Sequence, residues 1–424
     1  MNIEQKRELS RAKRSSLREG EARQGFCLRQ DLLKHRKALA DLQTSVGHSI
    51  FFQASEGTNT NHTVIDGRSF INFSSYNYLG LCSHPGVMAA AQQAIDQYGT
   101  SVSASRLASG ERPLHRALEG EIARILGTED ALVFVGGFGT NETLIGHLCA
   151  RGDLILHDSL IHASVLAGAR HSGATTRPFP HNQVAALETI LSRERHRYRQ
   201  VLVVIEGVYS MDGDLPDLPA YVRLRERYGC LLMVDEAHSF GVIGANGRGI
   251  SEHFGVAATD VDLWMGTLSK SLASCGGYAA GPANLMEYLR FSAPGFVYSV
   301  GISPPNAAAA LAALGVMRDE PWRIARLHER SRQFLVQARL AGLETGSSGD
   351  SPIIPVITGD NQRAVRLYRV LYDDGIYALP IFYPVVPKGM SRVRFFLSCL
   401  HGEDDIERAV STARKALDLA AVHF

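Results

Sequence analysis

The sequence lacks the features that mark several large classes of protein. No apolar run approaches the roughly 18–20 residues that a membrane helix needs. The longest candidate, Ala307 to Val316, is short and Ala-rich and reads as a packed helix. The six cysteines (Cys27, Cys82, Cys149, Cys230, Cys275 and Cys399) form no C-x-x-C pair. Neither a zinc knuckle nor a disulfide scaffold is therefore expected, and reduced thiols in a cytoplasmic protein are the simple reading. Charge of one sign is also missing: 44 basic residues face 43 acidic ones, a net charge of +1. That balance gives no argument for nucleic acid or an acidic surface as the main partner. The first twenty residues are charged with no apolar stretch behind them, so no signal peptide is expected. No internal repeat or low-complexity tract occurs.

What is present is a chain of 424 residues, 45% of them hydrophobic, enough for a large buried core and more than one domain. Residues 1–45 are rich in Lys and Arg with scattered Leu and read as a helical, mostly exposed arm. Such an arm is either a solvated face or a docking segment for an acidic partner such as an acyl carrier protein. Thr63 to Ser75 reads as two strands about an Asp66-Gly67 turn. From residue 86 helical periods, Gly86–Tyr98 and Leu114–Leu126 among them, give way to short apolar runs. These are Ala131–Val135, Leu154–Leu156, Val201–Ile205, Leu231–Val234 and Asp262–Met265. Continuous runs of this length suit strands buried on both faces, and helices between several of them predict an α/β fold with a mostly parallel central sheet flanked by helices. After Ser303-Pro304-Pro305 and an Ala-rich helix, a second α/β pattern starts near 350: Ile353–Ile357, a helix from Asn361 to Asp373, Val393–Leu397 and a final helix. The expected division is an arm over 1–60, a large domain over 61–300 and a smaller C-terminal α/β domain over 301–424.

Ligands of open α/β sheets gather at the carboxyl ends of strands, so the residues that follow each run carry the argument. Ala131–Val135 leads into Gly136-Gly137-Phe138-Gly139, a glycine turn before a helix. Such a turn can hold a phosphate on backbone N–H groups, begin a dinucleotide site, or simply be tight. The third glycine of a dinucleotide fingerprint is absent, because Glu142 stands there. Leu231–Val234 ends in Asp235. A carboxylate at a buried strand end must be paired, either as a helix cap or structural ion pair or as partner to a cationic ring nitrogen. Asp262–Met265 leads into Thr267-Leu268-Ser269-Lys270, followed by small residues and glycines. A partly desolvated lysine loses its proton more readily, which suits Schiff-base chemistry. Lys270 follows Asp235 by 35 residues and sits among hydroxyls. The pair fits a cofactor with a pyridinium nitrogen and a phosphate. His157, His162, His171 and His181 match no metal-ligand spacing, so no metal is expected.

With FSSYNYLGL, EGVYSMDGD, VDEAHSFGVIGANGRG and GTLSKSLASCGG in view, the chain resembles the α-oxoamine synthases, fold-type I pyridoxal-phosphate enzymes, from about Phe73 to the C-terminus. The resemblance implies pyridoxal 5'-phosphate held by Lys270, which would later move the Cα proton. Asp235 would pair with the ring nitrogen, His162 would stack on the ring, and His238 would lie near its phenolic oxygen with Ser210 nearby. Gly137, Phe138 and Thr267 would present donors to the cofactor. Arg394, rather than Arg392, would grip the amino-acid carboxylate, and Tyr76 would lie on the substrate side. The implied reaction is attack of an amino-acid carbanion on an acyl thioester with loss of carbon dioxide, leaving an α-amino ketone.

Members of the family use glycine with succinyl or acetyl thioesters, alanine with pimeloyl, or serine with palmitoyl. Tyr76 stands where the biotin- and haem-pathway enzymes tend to have asparagine, which brings the chain nearer to serine palmitoyltransferase. GTSVSASRLASGERPLH and APGFVYSVGISPPNAAAALAAL are most similar to synthases of polyketide assembly lines, whose donors are acyl carrier proteins. A homodimer with shared active sites is also implied, with Ser299 or Ser303 reaching the neighbouring phosphate site. An aminotransferase proper would show an N-P-x-N-P-T-G-like stretch, which is lacking, and many place an arginine where Tyr278 stands. A non-catalytic partner subunit would not need the intact set of Lys270, Asp235, His162 and His238.

Overall fold

The five buried apolar runs become strands of one seven-stranded sheet. In a computed structural model the described residues are 49–421, together with Leu33, Arg36 and Lys37. The arm expected over residues 1–60 therefore falls largely outside the described residues. The strands are β1 (Asp130–Phe134), β2 (Leu154–Asp158), β3 (Thr175–Phe179), β4 (Val201–Glu206), β5 (Leu231–Asp235), β6 (Leu263–Thr267) and β7 (Gly277–Gly281). Their order across the sheet is β1-β7-β6-β5-β4-β2-β3. Neighbours from β6 to β3 pair in parallel, and β7 alone runs against both of its neighbours. β4 is buried at every position and β5 at all but its first, as expected for strands covered on both faces.

Two strands carry no apolar run. β3, Thr-Thr-Arg-Pro-Phe, is exposed except at Phe179 and lies at the sheet edge. An edge strand tolerates Pro178, which has no N–H to give. β7, Gly-Tyr-Ala-Ala-Gly, is fully buried between β1 and β6. Its first glycine lets a helix close in: a Cβ added at Gly277 would stand 2.4 Å from Thr140 Oγ1 and 2.8 Å from Gly137 Cα.

Helix α1 (Gly137–Leu148) leaves β1 directly, and α2 (Ala163–Ser172) follows β2 after four residues. Leu144 and Ile145 of α1 and Val165 and Ala169 of α2 bury their apolar faces against Leu132, Ile155, Met233 and Met265 of the sheet. Each fully buried Leu, Ile or Met contributes about 1.5–3 kcal/mol, so the sheet face anchors both helix starts beside the strand ends.

The C-terminal region builds a second sheet from β8 (Ile353–Gly359), β9 (Pro380–Ile381) and β10 (Ser391–Phe396), in the order β8-β10-β9. The Asn361–Asp373 helix has the bounds that its sequence suggests, and Asp360 caps it by accepting from Arg363 N at 2.9 Å. The early hairpin, His62–Ile65 with Arg68–Asn72, pairs in parallel with Ile376–Tyr377. It thereby ties the start of the expected large domain to the C-terminal region. The described residues from Ser55 onward form one compact unit. No helix among the described residues is long and apolar enough to cross a membrane.

Candidate active site

The carboxyl ends of β1, β4, β5 and β6, with the starts of α1 and α2, surround a cavity of about 260 Å³. Tyr76, Gly137, Phe138, His162, Ser210, Asp235, His238, Thr267, Lys270 and Arg394 all line it. Residues spread over more than 300 positions of sequence thus meet in one place, as ligand sites of open α/β sheets do.

Lys270 lies just beyond β6. Its Nζ stands 5.7 Å from the centre of the Tyr76 ring. Burial pushes its pKa down to about 8, against the pull of Asp235 and Glu206 and with help from Arg394. The amine is thus easier to deprotonate than an ordinary lysine, the condition for nucleophilic or base chemistry.

Asp235 is buried at the end of β5. Its Oδ1 accepts from Ala237 N at 2.9 Å and its Oδ2 from Asn141 Nδ2 at 2.7 Å. Beside it in register, at the end of β4, stands Glu206. Burial raises the pKa of Glu206 well above the usual carboxylate range, and Asp235 raises it further. Both influences favour the neutral form of the Glu206 carboxyl.

His162 caps α2. Its backbone N–H donates to Glu206 Oε1 at 2.6 Å, and its Nδ1 lies 2.7 Å from Ser164 Oγ. Phe138 meets the imidazole edge-on, with 6.2 Å between ring centres. His238 pairs through Nδ1 with the Tyr78 hydroxyl at 2.8 Å. Burial drives its pKa well below the ordinary imidazole value, and Lys270 and Arg394 add to the effect. A neutral His238 is the result.

Two arginines on β10 are separated by one residue and so share a face. Arg392 is buried and donates through Nε to Met390 O at 3.0 Å and through Nη1 to Met211 O at 3.0 Å and Asp212 Oδ1 at 2.5 Å. Arg394 donates through Nη1 to Ser210 O at 2.5 Å and stacks 4.3 Å above the Phe396 ring. Its buried Nε finds no acceptor within the protein. Of the two, Arg394 is the one that lines the cavity.

The residues present fit pyridoxal 5'-phosphate. The start of α1 at Gly137 has no side-chain cap, so its N–H groups are open to an anion. A Cβ at Gly137 would stand 2.9 Å from Thr267 Oγ1, so the turn at this point must be bare backbone. Thr267 and Ser269 hydroxyls lie 2.8 Å apart beside it. Asp235 also lines the cavity and offers a carboxylate acceptor, and Lys270 supplies the amine. Asn141, Ser164, Glu206 and Tyr78 are the partners that sequence reasoning did not assign. Asn141 and Ser164 sit inside helices and carry no motif of their own. Glu206 and Tyr78 lie within quoted motifs, EGVYSMDGD and FSSYNYLGL.

The doubly wound sheet with a lysine, an aspartate and a glycine turn at its strand ends defines a fold-type I pyridoxal-phosphate enzyme. Residues 68–412 match the family described as aminotransferase class I and II, and the chain belongs to that family, on its α-oxoamine synthase branch. The 8-amino-7-oxononanoate synthase of Geobacter sulfurreducens is 43% identical over 370 residues, covering 86% of this chain and 94% of that protein. Among solved structures, Sphingomonas wittichii serine palmitoyltransferase superposes with a TM-score of 0.87 at 32% identity, covering 93% of this chain and 98% of its own. A lysine-to-alanine variant of serine palmitoyltransferase from S. paucimobilis, bound to a pyridoxal-phosphate–myriocin aldimine, gives 0.88 at 28% identity over 93% and 98%.

Proposed function

We propose that the chain condenses an α-amino acid with an acyl thioester, with loss of carbon dioxide, to give an α-amino ketone. The observation that carries this reading is the convergence of Lys270, Asp235, His162 and Arg394 on one cavity. When bound, pyridoxal phosphate supplies an electron sink for negative charge at the substrate Cα. Asp235 would hold the ring nitrogen protonated, Lys270 would anchor the cofactor and take the Cα proton, and His162 would cover the ring. His238 would serve the phenolic oxygen, with Ser210 beside it. Gly137, Phe138 and Thr267 would hold the phosphate. Arg394 takes the amino-acid carboxylate as a fork, and the Tyr76 ring walls the substrate side.

The donor is an acyl thioester on coenzyme A or on an acyl carrier protein, and the basic residues of 1–45 suit the acidic surface of a carrier. The working unit is a homodimer. The test supplies carboxyl-labelled glycine, alanine and serine with acyl groups on either donor. Release of labelled carbon dioxide together with an amino-ketone mass supports the reading. Formation of a 2-oxo acid with the label retained would replace it with transamination.

A further inference from the structure

We infer that Asn141 and Ser164 act as positioning residues that lock His162 in its Nε2–H tautomer, so that the imidazole offers an N–H donor to an oxygen of the bound substrate. Asp235 is the first link of the chain of hydrogen bonds. Asn141 turns its amide nitrogen to this carboxylate, and Nδ2 donates to Oδ2 at 2.7 Å. The same Nδ2 lies 2.9 Å from Ser164 Oγ and gives it the second amide hydrogen. Ser164 Oγ thus accepts from Asn141, and its own hydrogen is free for His162 Nδ1 at 2.7 Å. The backbone N–H of Ser164 points at the same Nδ1 at 3.3 Å. A ring nitrogen that receives two donors has no room for a proton of its own, so the proton of the neutral ring resides on Nε2.

The surroundings of the ring are well held: the His162 backbone N–H donates to Glu206 Oε1 at 2.6 Å, and Ser164 is buried within α2. The charged or titratable groups that share the cavity with it are Asp235 on β5, Glu206 on β4, His238 beyond β5, Lys270 beyond β6, Arg394 on β10 and Tyr76. Burial lowers the pKa of His162, Asp235 opposes this, and Lys270 adds to it. The net direction agrees with a neutral ring. Protonation of Nδ1 would require Ser164 to turn its hydroxyl away and would set two N–H donors against each other.

The use made of the donor rests on the proposed catalytic site, but the tautomer is a property of the protein alone. Nitrogen NMR of the full chain with labelled histidine, with and without pyridoxal phosphate, reads it directly, and His162→Asn identifies the signal. The expected wild-type spectrum shows Nε2–H, with His162 mainly neutral at pH 6.5, where an ordinary imidazole is about half protonated. Ser164→Ala should raise the His162 pKa toward the ordinary value and mix the tautomers, whereas Ser164→Thr should keep the wild-type pattern. An Nδ1–H or cationic ring in the wild type overturns the inference even if no variant folds, as does an unchanged His162 titration in Ser164→Ala. A correct tautomer in a chain that binds no pyridoxal phosphate would sink the proposed function and leave the relay standing.

Discussion

His181 should make the stability of this protein depend on alkaline pH. Its Nδ1 lies 2.9 Å from Asp158 Oδ1 and its Nε2 2.8 Å from Asp214 Oδ2. Asn182 adds N–H donors to both carboxylates at 2.8 Å. The imidazole thus straps the loop that leaves β2 toward His162 to the loop that leaves β4 through Ser210. Burial opposes its charge, but the two carboxylates overcome it and raise the pKa to about 10. The Tyr209 and Tyr221 hydroxyls near it are pushed upward by burial and stay neutral. A pKa raised on folding contributes stability that is complete below the unfolded value of about 6.5 and is lost as pH rises through the folded value. At about 1.4 kcal/mol per pH unit, roughly 4 kcal/mol should disappear between pH 6 and 9.5. His181→Gln removes the cation and leaves two carboxylates unpaired, a cost of about 3–5 kcal/mol at pH 6. Urea unfolding of both proteins across this range is the assay. The gap between them should close to about 1 kcal/mol by pH 9.5. A gap that stays constant with pH would refute the ionic strap.

Three further perturbations address the cavity. Arg394→Ala should raise the amino-acid KM by about 10–100-fold, the value of a charged hydrogen-bonded fork, with a smaller change in kcat; steady-state kinetics decide. Asp235→Asn should retain cofactor but slow exchange of the Cα proton into deuterated water by at least about 10-fold, since a charged hydrogen bond is worth about 1.5–3 kcal/mol. Gly277→Ala drives a methyl into Thr140 and the start of α1. It should cost about 1–3 kcal/mol of stability by overpacking and weaken pyridoxal-phosphate binding in a fluorescence titration.

The parts of the fold that were legible in sequence are those where burial leaves a simple pattern. Val201–Glu206 and Leu231–Asp235 show themselves because strands covered on both faces are apolar throughout. Asn361–Asp373 shows itself because one face of a helix repeats. Gly277–Gly281 is just as buried, yet apart from Tyr278 its residues are small, Gly277 to admit α1, and small residues carry no period. Thr175–Phe179 is an exposed edge strand containing proline, a composition that reads as loop. In the site, residues that touch ligands stand at strand ends and in dense motifs. Their supports do not: Asn141 reaches Asp235 across 94 positions, and His181 joins loops that only the sheet order brings together. His181 stood out only as one of several histidines without a metal spacing, because its carboxylate partners lie 23 positions before it and 33 after it.

The most direct test of the account is the visible absorbance of the purified full chain with pyridoxal phosphate, followed by borohydride reduction and peptide mapping. The account predicts a yellow band that is abolished by reduction, a pyridoxyl group on the peptide containing Lys270, and a spectral shift on adding the amino-acid substrate. No band, or a label on any other lysine, would contradict the assignment of Lys270 and with it the proposed chemistry.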